Sequence, residues 1–216
     1  MKNDKPIYLM GDIHANLENL SILHKIEPGI LFILGDVGFG FSKNSDKRLI
    51  DFFIDLVNKG WEINLIRGNH DNPSYWYNDK YGIKGINFLK DYTIVDINDK
   101  KYLVIGGGVS IDVAFRTPNI NWWEDEEITI GNRNVYKENI YGILSHTGFT
   151  PPTIRPMNFD REIEERLERE MMILNFIKRE VKPKKWYYGH YHISSVYDQE
   201  GCRYRVLDEG ELLLIN

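Results

Sequence analysis

The sequence predicts an α/β fold built on a largely parallel sheet, and three observations carry that expectation. Short apolar runs of β type alternate with amphipathic stretches through the first seventy residues. The apolar runs end in polar turns rich in Gly, Asp, Asn and His, so the polar side chains gather beyond the carboxyl ends of the strands, where open α/β sheets keep their sites. The whole chain has 216 residues, which favours a single domain over residues 1–216, with one modest insertion.

The elements follow in order. Ile7–Met10 reads as a strand, Gly11–Asn16 as a polar turn, and Leu17 to about Lys25 as a helix broken by Pro28-Gly29. Ile30–Leu34 is a second buried strand with Gly35-Asp36 at its end. A helix is expected from Asp46, as N-cap, to Gly60, with Leu49, Phe52, Phe53, Leu56 and Val57 on one face. Ile63–Ile66 makes a third strand and runs into Arg67-Gly68-Asn69-His70-Asp71. Thr93–Ile97 and Lys101–Ile105, joined by Asn98-Asp99, read as a hairpin that ends in Gly106-Gly107-Gly108.

Residues 109–139 show no period, and a stretch of that length is expected to be an inserted substrate-side loop or lid. Tyr141–Leu144 is a strand ending in Ser145-His146. Asp160 caps a helix to about Glu180, with Ile163, Leu167, Leu174 and Ile177 as its inner stripe and its dense charges read as a solvated face. Trp186–Tyr188, Val196–Asp198, Arg203–Val206 and Leu212–Ile215 close the fold as strands.

Composition excludes several classes of protein. Hydrophobic residues make up 42% and charged residues 27%, which rules out a disordered or collagen-like chain. A net charge of −5 argues against nonspecific coating of duplex DNA, although metal ions in an acidic site would add positive charge outside that count. The one cysteine, Cys202, has no partner for an internal disulfide, which points to a reducing, cytoplasmic setting. The first apolar stretch, Ile7–Met10, is too short for a signal-peptide core, and no run approaches the ~18 apolar residues of a membrane span.

Five of the six histidines sit at strand ends. Asp12-x-His14 follows the first strand, Asp36 the second and Asn69-His70 the third; His146 and Gly189-His190-Tyr191-His192 follow two later ones. His24, inside the first helix, reads as a surface or packing residue. Imidazole with carboxylate and no thiolate suits zinc, iron or manganese. Two ions about 3.5–4 Å apart need a ligand that spans both, and the two oxygens of Asp36 can do so.

In this order the motifs closely resemble those of the calcineurin-like metallophosphoesterase superfamily, over residues 11–192. The resemblance implies a four-layer αββα sandwich with two divalent ions at the sheet ends: manganese, iron, zinc or nickel, with manganese the expected activator in vitro. Carried over by motif, Asp12, His14 and His192 bind one ion, Asn69, His146 and His190 the other, and Asp36 bridges them. His70 is the catalytic histidine that binds no metal. A hydroxide held between the ions would attack phosphorus, and His70 could protonate the leaving alkoxide.

The implied activity is that of a phosphodiesterase or small-molecule phosphatase, with a nucleotide among the candidate substrates. A protein or phosphopeptide phosphatase is the alternative, and a catalytically silent scaffold a further one. Protein phosphatases of the superfamily continue the second motif as Gly-Asp-x-x-Asp-Arg-Gly, whereas here it runs Gly35-Asp36-Val37-Gly38-Phe39-Gly40. Another cation is therefore expected at the phosphate. Arg116 is the candidate, though an ion pair fits it as well; Arg67 reads as a structural ion pair. Trp122 and Trp123 could stack on a nucleobase or simply pack the segment down.

Overall fold

The structure, a computed structural model, describes residues 5–40, 42–78, 82–155 and 157–215. Residues 1–4 lie outside the described residues. Among the described residues, eleven strands form two mixed sheets. The first takes β1 (Ile7–Met10), β2 (Ile30–Ile33), β3 (Glu62–Leu65), β4 (Ile86–Phe88) and β11 (Leu212–Ile215) in the order β11-β1-β2-β3-β4. Its four N-terminal strands run parallel, in a register that aligns Ile7 with Ile30 and Ile30 with Glu62, while β11 is antiparallel to β1.

The second sheet takes β5 (Ile94–Ile97), β6 (Lys100–Ile105), β7 (Ile140–Ser145), β8 (Lys185–Tyr188), β9 (Ser195–Gln199) and β10 (Cys202–Val206) in the order β5-β6-β7-β8-β10-β9. Its four inner strands are parallel and both edges antiparallel. Both sheets are thus parallel through most of their strands, with antiparallel strands at three of the four edges. Each of the three antiparallel strands pairs with a neighbour close in sequence or at the chain's end, where no crossover helix forces a parallel return.

Three apolar layers make this a four-layer αββα sandwich. Leu9, Phe32 and Leu34 of the first sheet meet Val104, Leu144 and Tyr187 of the second in the central layer. The alternate residues Met10, Leu31 and Ile33 turn outward to Leu49, Phe53 and Leu56 of α2 (Lys43–Asn58). On the far side, Leu103, Ile143, Trp186 and Tyr204 meet Leu174 and Ile177 of α4 (Arg161–Val181). Strands buried on both faces must be apolar at every position, which is why β1 and β2 read as unbroken hydrophobic runs.

Local detail departs from the expectations at several points. The first helix is one α-turn, α1 (Leu17–Leu20), followed by a 3₁₀ turn at Ser21–His24. Ser42, not Asp46, caps α2: its side chain accepts from the Ser45 N–H, while Asp46 lies inside and accepts from Gly40 N and Tyr75 Oη. A short helix, α3 (Ser74–Tyr77), and β4 add to the expected elements. Asp160 does cap α4. However, Arg166 and Glu170 of that helix are buried, and Leu167 lies off its inner stripe. Among the described residues no helix is long and apolar enough to cross a membrane.

Glu170 joins α4 to the loops beyond β6 and β7, accepting from Val109 N at 3.0 Å and Thr147 Oγ1 at 3.3 Å. Burial pushes its carboxyl up to about 8, against an ordinary 4.5. Between those values the native state holds a proton that the unfolded chain has released. The group therefore contributes stability that is complete below about pH 4.5 and is lost as pH rises through about 8. Glu170→Gln should remove that fall, which can reach about 1.4 kcal/mol per pH unit. Urea denaturation between pH 5 and 8 should show the variant gaining on the native sequence with pH, and parallel curves would refute it.

Candidate metal centre

The predicted ligands converge at the carboxyl ends of both sheets because their loops are stitched together by backbone N–H groups. Ile13 N and His14 N donate to the Asp36 carbonyl, His70 N to Asp36 Oδ1 at 2.7 Å, and His190 N to the Asp12 carboxylate. Asp12 and Asp36 pass directly over Gly189 and Gly68, where a Cβ would collide with their carboxylates. His14, Asp36, His190 and His192 all take left-handed backbone, with φ of 46°, 45°, 66° and 47°. Four such non-glycine residues in one site mark strain held in place by its surroundings.

One group of donors is compact. Ligand atoms of Asp12, His14, Asp36 and His192 lie within 4.8 Å of one another. His14 Nε2 and His192 Nε2 are 3.0 Å apart, and His192 Nε2 is 3.1 Å from Asp12 Oδ2. The second group adjoins it: His146 Nε2 is 2.8 Å from Asn69 Oδ1, 3.2 Å from His190 Nδ1 and 3.4 Å from Asp36 Oδ1. The structure thus brings all seven expected ligands together, with Asp36 between the two groups.

The electrostatics fit a missing positive charge. Burial, then the neighbouring carboxylates Asp12 and Asp71, hold Asp36 well above the usual carboxylate range. Burial opposes ionisation of Asp12 too, but His146, His192 and the His190 N–H outweigh it and keep that pKa low. Burial pushes His146 down to about 4 and His190 to about 3, so both present the neutral imidazole that ligates metal. Divalent ions would relieve the crowding of buried carboxylates and occupy the facing ring nitrogens.

His70 follows Asn69 at the rim, and its ring touches the Arg116 guanidinium, with Arg116 Nη2 at 2.9 Å from Nδ1. Burial and that cation push His70 down to about 3. Arg116 is itself ion-paired to Asp112 at 2.7 Å and donates to the Asn121 carbonyl. Both readings of Arg116 therefore meet in one residue: it is paired, and it stands at the site. Asp71, next in sequence to His70, faces away and takes N–H bonds from Val37, Gly38, Phe39 and Gly68.

Trp122 and Trp123 do not line the cleft over the centre. Trp123 is buried, and the Arg166 guanidinium lies over the Trp122 ring, so the pair packs the segment and offers no stacking surface there. Only the start of the irregular segment, Val109, Ile111 and Asp112, reaches the cleft. Arg67 is the expected structural ion pair: buried, it bonds Asp91 at 3.0 Å and the carbonyls of Asp125 and Glu126. His24 packs on Phe52, as a surface residue of α2's flank.

Sequence reasoning missed the support behind Asn69. Its Nδ2 donates to Ser110 Oγ at 3.0 Å, and that hydroxyl spends its proton on Glu126 Oε2 at 2.7 Å. The amide oxygen is thereby turned toward His146. Arg166 holds Glu126 and Glu127 at 2.6 Å each. The signal was present, because position 166 falls on the same helical face as 163, 170, 174 and 177.

A family model described as calcineurin-like phosphoesterase matches residues 5–194. Among solved structures, a putative 5'-nucleotidase from Staphylococcus aureus is 13% identical with a TM-score of 0.51, over 95% of this chain and 48% of that one. The present chain thus spans about half of that protein's length. Phosphopantetheinyl hydrolase from Mycobacterium tuberculosis is 12% identical over 95% of this chain and 91% of its own, with a TM-score of 0.47. Vps29 from Entamoeba histolytica, complexed with zinc, is 12% identical over 94% and 74%, with a TM-score of 0.41. The likeness to these structures is one of fold. No curated protein sequence matches the chain.

Removing Glu126 leaves Arg166 buried with half of its charge partners. Glu126→Ala should destabilise the fold by about 3–5 kcal/mol, the scale for a broken buried pair. Equilibrium unfolding in urea measures it, and a loss below 1 kcal/mol would refute the pairing's role.

Proposed function

The chain belongs to the calcineurin-like phosphoesterase family, and from that premise we propose that it is a dinuclear, metal-dependent hydrolase of small phosphoesters. The observation that carries the reading is the compact donor group of Asp12, His14, Asp36 and His192, with Asn69, His146 and His190 beside it. We assign Asp12, His14 and His192 to one ion, Asn69, His146 and His190 to the other, and Asp36 to both. When bound, divalent ions supply Lewis acidity, which activates water as nucleophile and offsets charge on the phosphoryl oxygens.

The chain's own residues divide the remaining work. His14 and His192 are partly exposed, at 25% and 46% of the side chain, so the donor group opens to solvent on the side from which a substrate enters. His70 sets its ring edge-on against that of His14, 5.1 Å between centroids, and stands beside Arg116, in place to hand a proton to the leaving oxygen. The arriving phosphoryl charge draws the Arg116 guanidinium and favours the imidazolium, opposing the cation that keeps His70 neutral. The turn after Asp36 takes no part in anion binding, since the N–H groups of Val37, Gly38 and Phe39 are all committed to Asp71. That supports a small-molecule substrate over a phosphoprotein.

Stripping the protein with chelator should abolish hydrolysis of a nitrophenyl phosphoester, and manganese should restore it with near two ions per chain by elemental analysis. Asp36→Asn should lose metal and activity together. Full activity without divalent metal would refute the assignment. His70→Asn should keep its metal while kcat falls by roughly 10²–10⁴. The fall should be smallest for nitrophenolate leaving groups, which need no proton. Loss of metal from this variant would place His70 among the ligands.

A further inference from the structure

Asp36, Asn69, His190 and His192 of the donor set lie on a cleft of about 1130 Å³, far more space than a phosphoryl group fills. Much of the remaining wall comes from α4, with Ile154, Arg155, Met157 and Phe159 from the segment before it. That helix carries two distinct faces. Ile163, Leu174 and Ile177 pack inward, whereas Leu167, Met171 and Met172 line the cleft. A helix on the outside of a sandwich needs one apolar face, and the second is left open at a cost. Met172 is 64% exposed, and across the cleft Ile111 is 45% exposed.

The charges on that wall narrow the choice of ligand. Glu164 and Glu168 stand beside Leu167 on the cleft face of α4. With one cation among the described lining residues, Arg155, against these two carboxylates and Asp112, the cleft has no positive field to draw a chain of further phosphates. Trp122 and Trp123 are turned away, and the aromatic residues that do line the cleft are Phe159 and Tyr191. The unbranched methionines, by contrast, adapt to a flexible apolar surface.

We propose that the substrate is a phosphoester whose esterified group is an apolar chain, which lies along Leu167, Met171 and Met172 while the phosphoryl group sits at the donor cluster. This rests on the phosphoester reading of that cluster. The chain is continuous with the phosphoryl site, so it orients the scissile bond by burying area remote from the chemistry.

The test is calorimetric binding of n-alkylphosphonates, from methyl to decyl and below their micellar concentrations, to the manganese-loaded protein. Affinity should rise roughly twofold to fourfold per methylene. In Leu167→Gln/Met172→Gln, which changes two cleft positions outside the donor set, the rise should flatten while methylphosphonate binds as before. Equal affinity across the series overturns the inference and leaves the phosphoester reading standing. A rise that persists undiminished in the double variant overturns the α4 wall as the chain's site. If no member binds, methyl included, the phosphoester reading fails and takes this inference with it. Sedimentation with phosphatidylcholine vesicles containing phosphatidic acid, run beside free octylphosphonate, separates a bilayer source of the chain from a soluble one; capture of either supports the proposal.

Discussion

Four backbone N–H groups end on one buried carboxylate, Asp71, and the geometry of the centre follows from that. Its oxygens hold Val37, Gly38 and Phe39 after β2 and Gly68 after β3. The two turns are thereby locked side by side, and Asp36 is left in left-handed backbone with its carboxylate over Gly68. Burial raises Asp71 to about 6, although all four N–H groups act to keep it ionised. Strained positions cost about 1–3 kcal/mol each. The cost is met by bonds such as these, made by a carboxylate that neighbours Asp36 without belonging to the donor cluster.

Much of this was legible because it is local. Apolar runs buried on both faces and polar turns at their ends are statements about consecutive residues, and the strand-end histidines stand where those turns place them. The resemblance to phosphoesterases supplied the second sheet and the division of ligands, and the fold has that layering. The antiparallel direction of β5 was legible, because the Asn98-Asp99 turn makes it a hairpin with β6, whereas nothing local marks the direction of β9 or β11. Ser42 took the cap that Asp46 seemed to offer because Asp46 is needed inward, by Tyr75 and Gly40.

The larger miss lay in treating charge as a mark of solvent. Glu126, Arg166 and Glu170 are buried, and together with Arg67, whose ion pair was expected, they do for residues 109–139 what a hydrophobic stripe does for a helix. The segment lacks a period because its contacts are not periodic. Arg67 holds its carbonyls, Arg166 its acidic side chains, and Ser110 passes the constraint to Asn69. Such a network is costly unless every member is satisfied. It links the long helix to the Asn69 amide through three side chains, none of which a search for ligands would select.

The donor cluster and the cleft wall proposed for the substrate's chain are consequently carried by different parts of the fold. The donor side chains hang on turns whose backbone groups bond to one another, so they tolerate little movement and little substitution. The cleft wall hangs on α4, whose inner face is anchored by Leu174, Ile177 and the Arg166 pairs while its other face projects freely. A change at Leu167 or Met172 alters no hydrogen bond in the centre, whereas one at Arg166 is transmitted through Glu126 and Ser110 to Asn69. Residues one helical position apart thus answer to different constraints, and the apolar lining can be reshaped while the ligands stay in place.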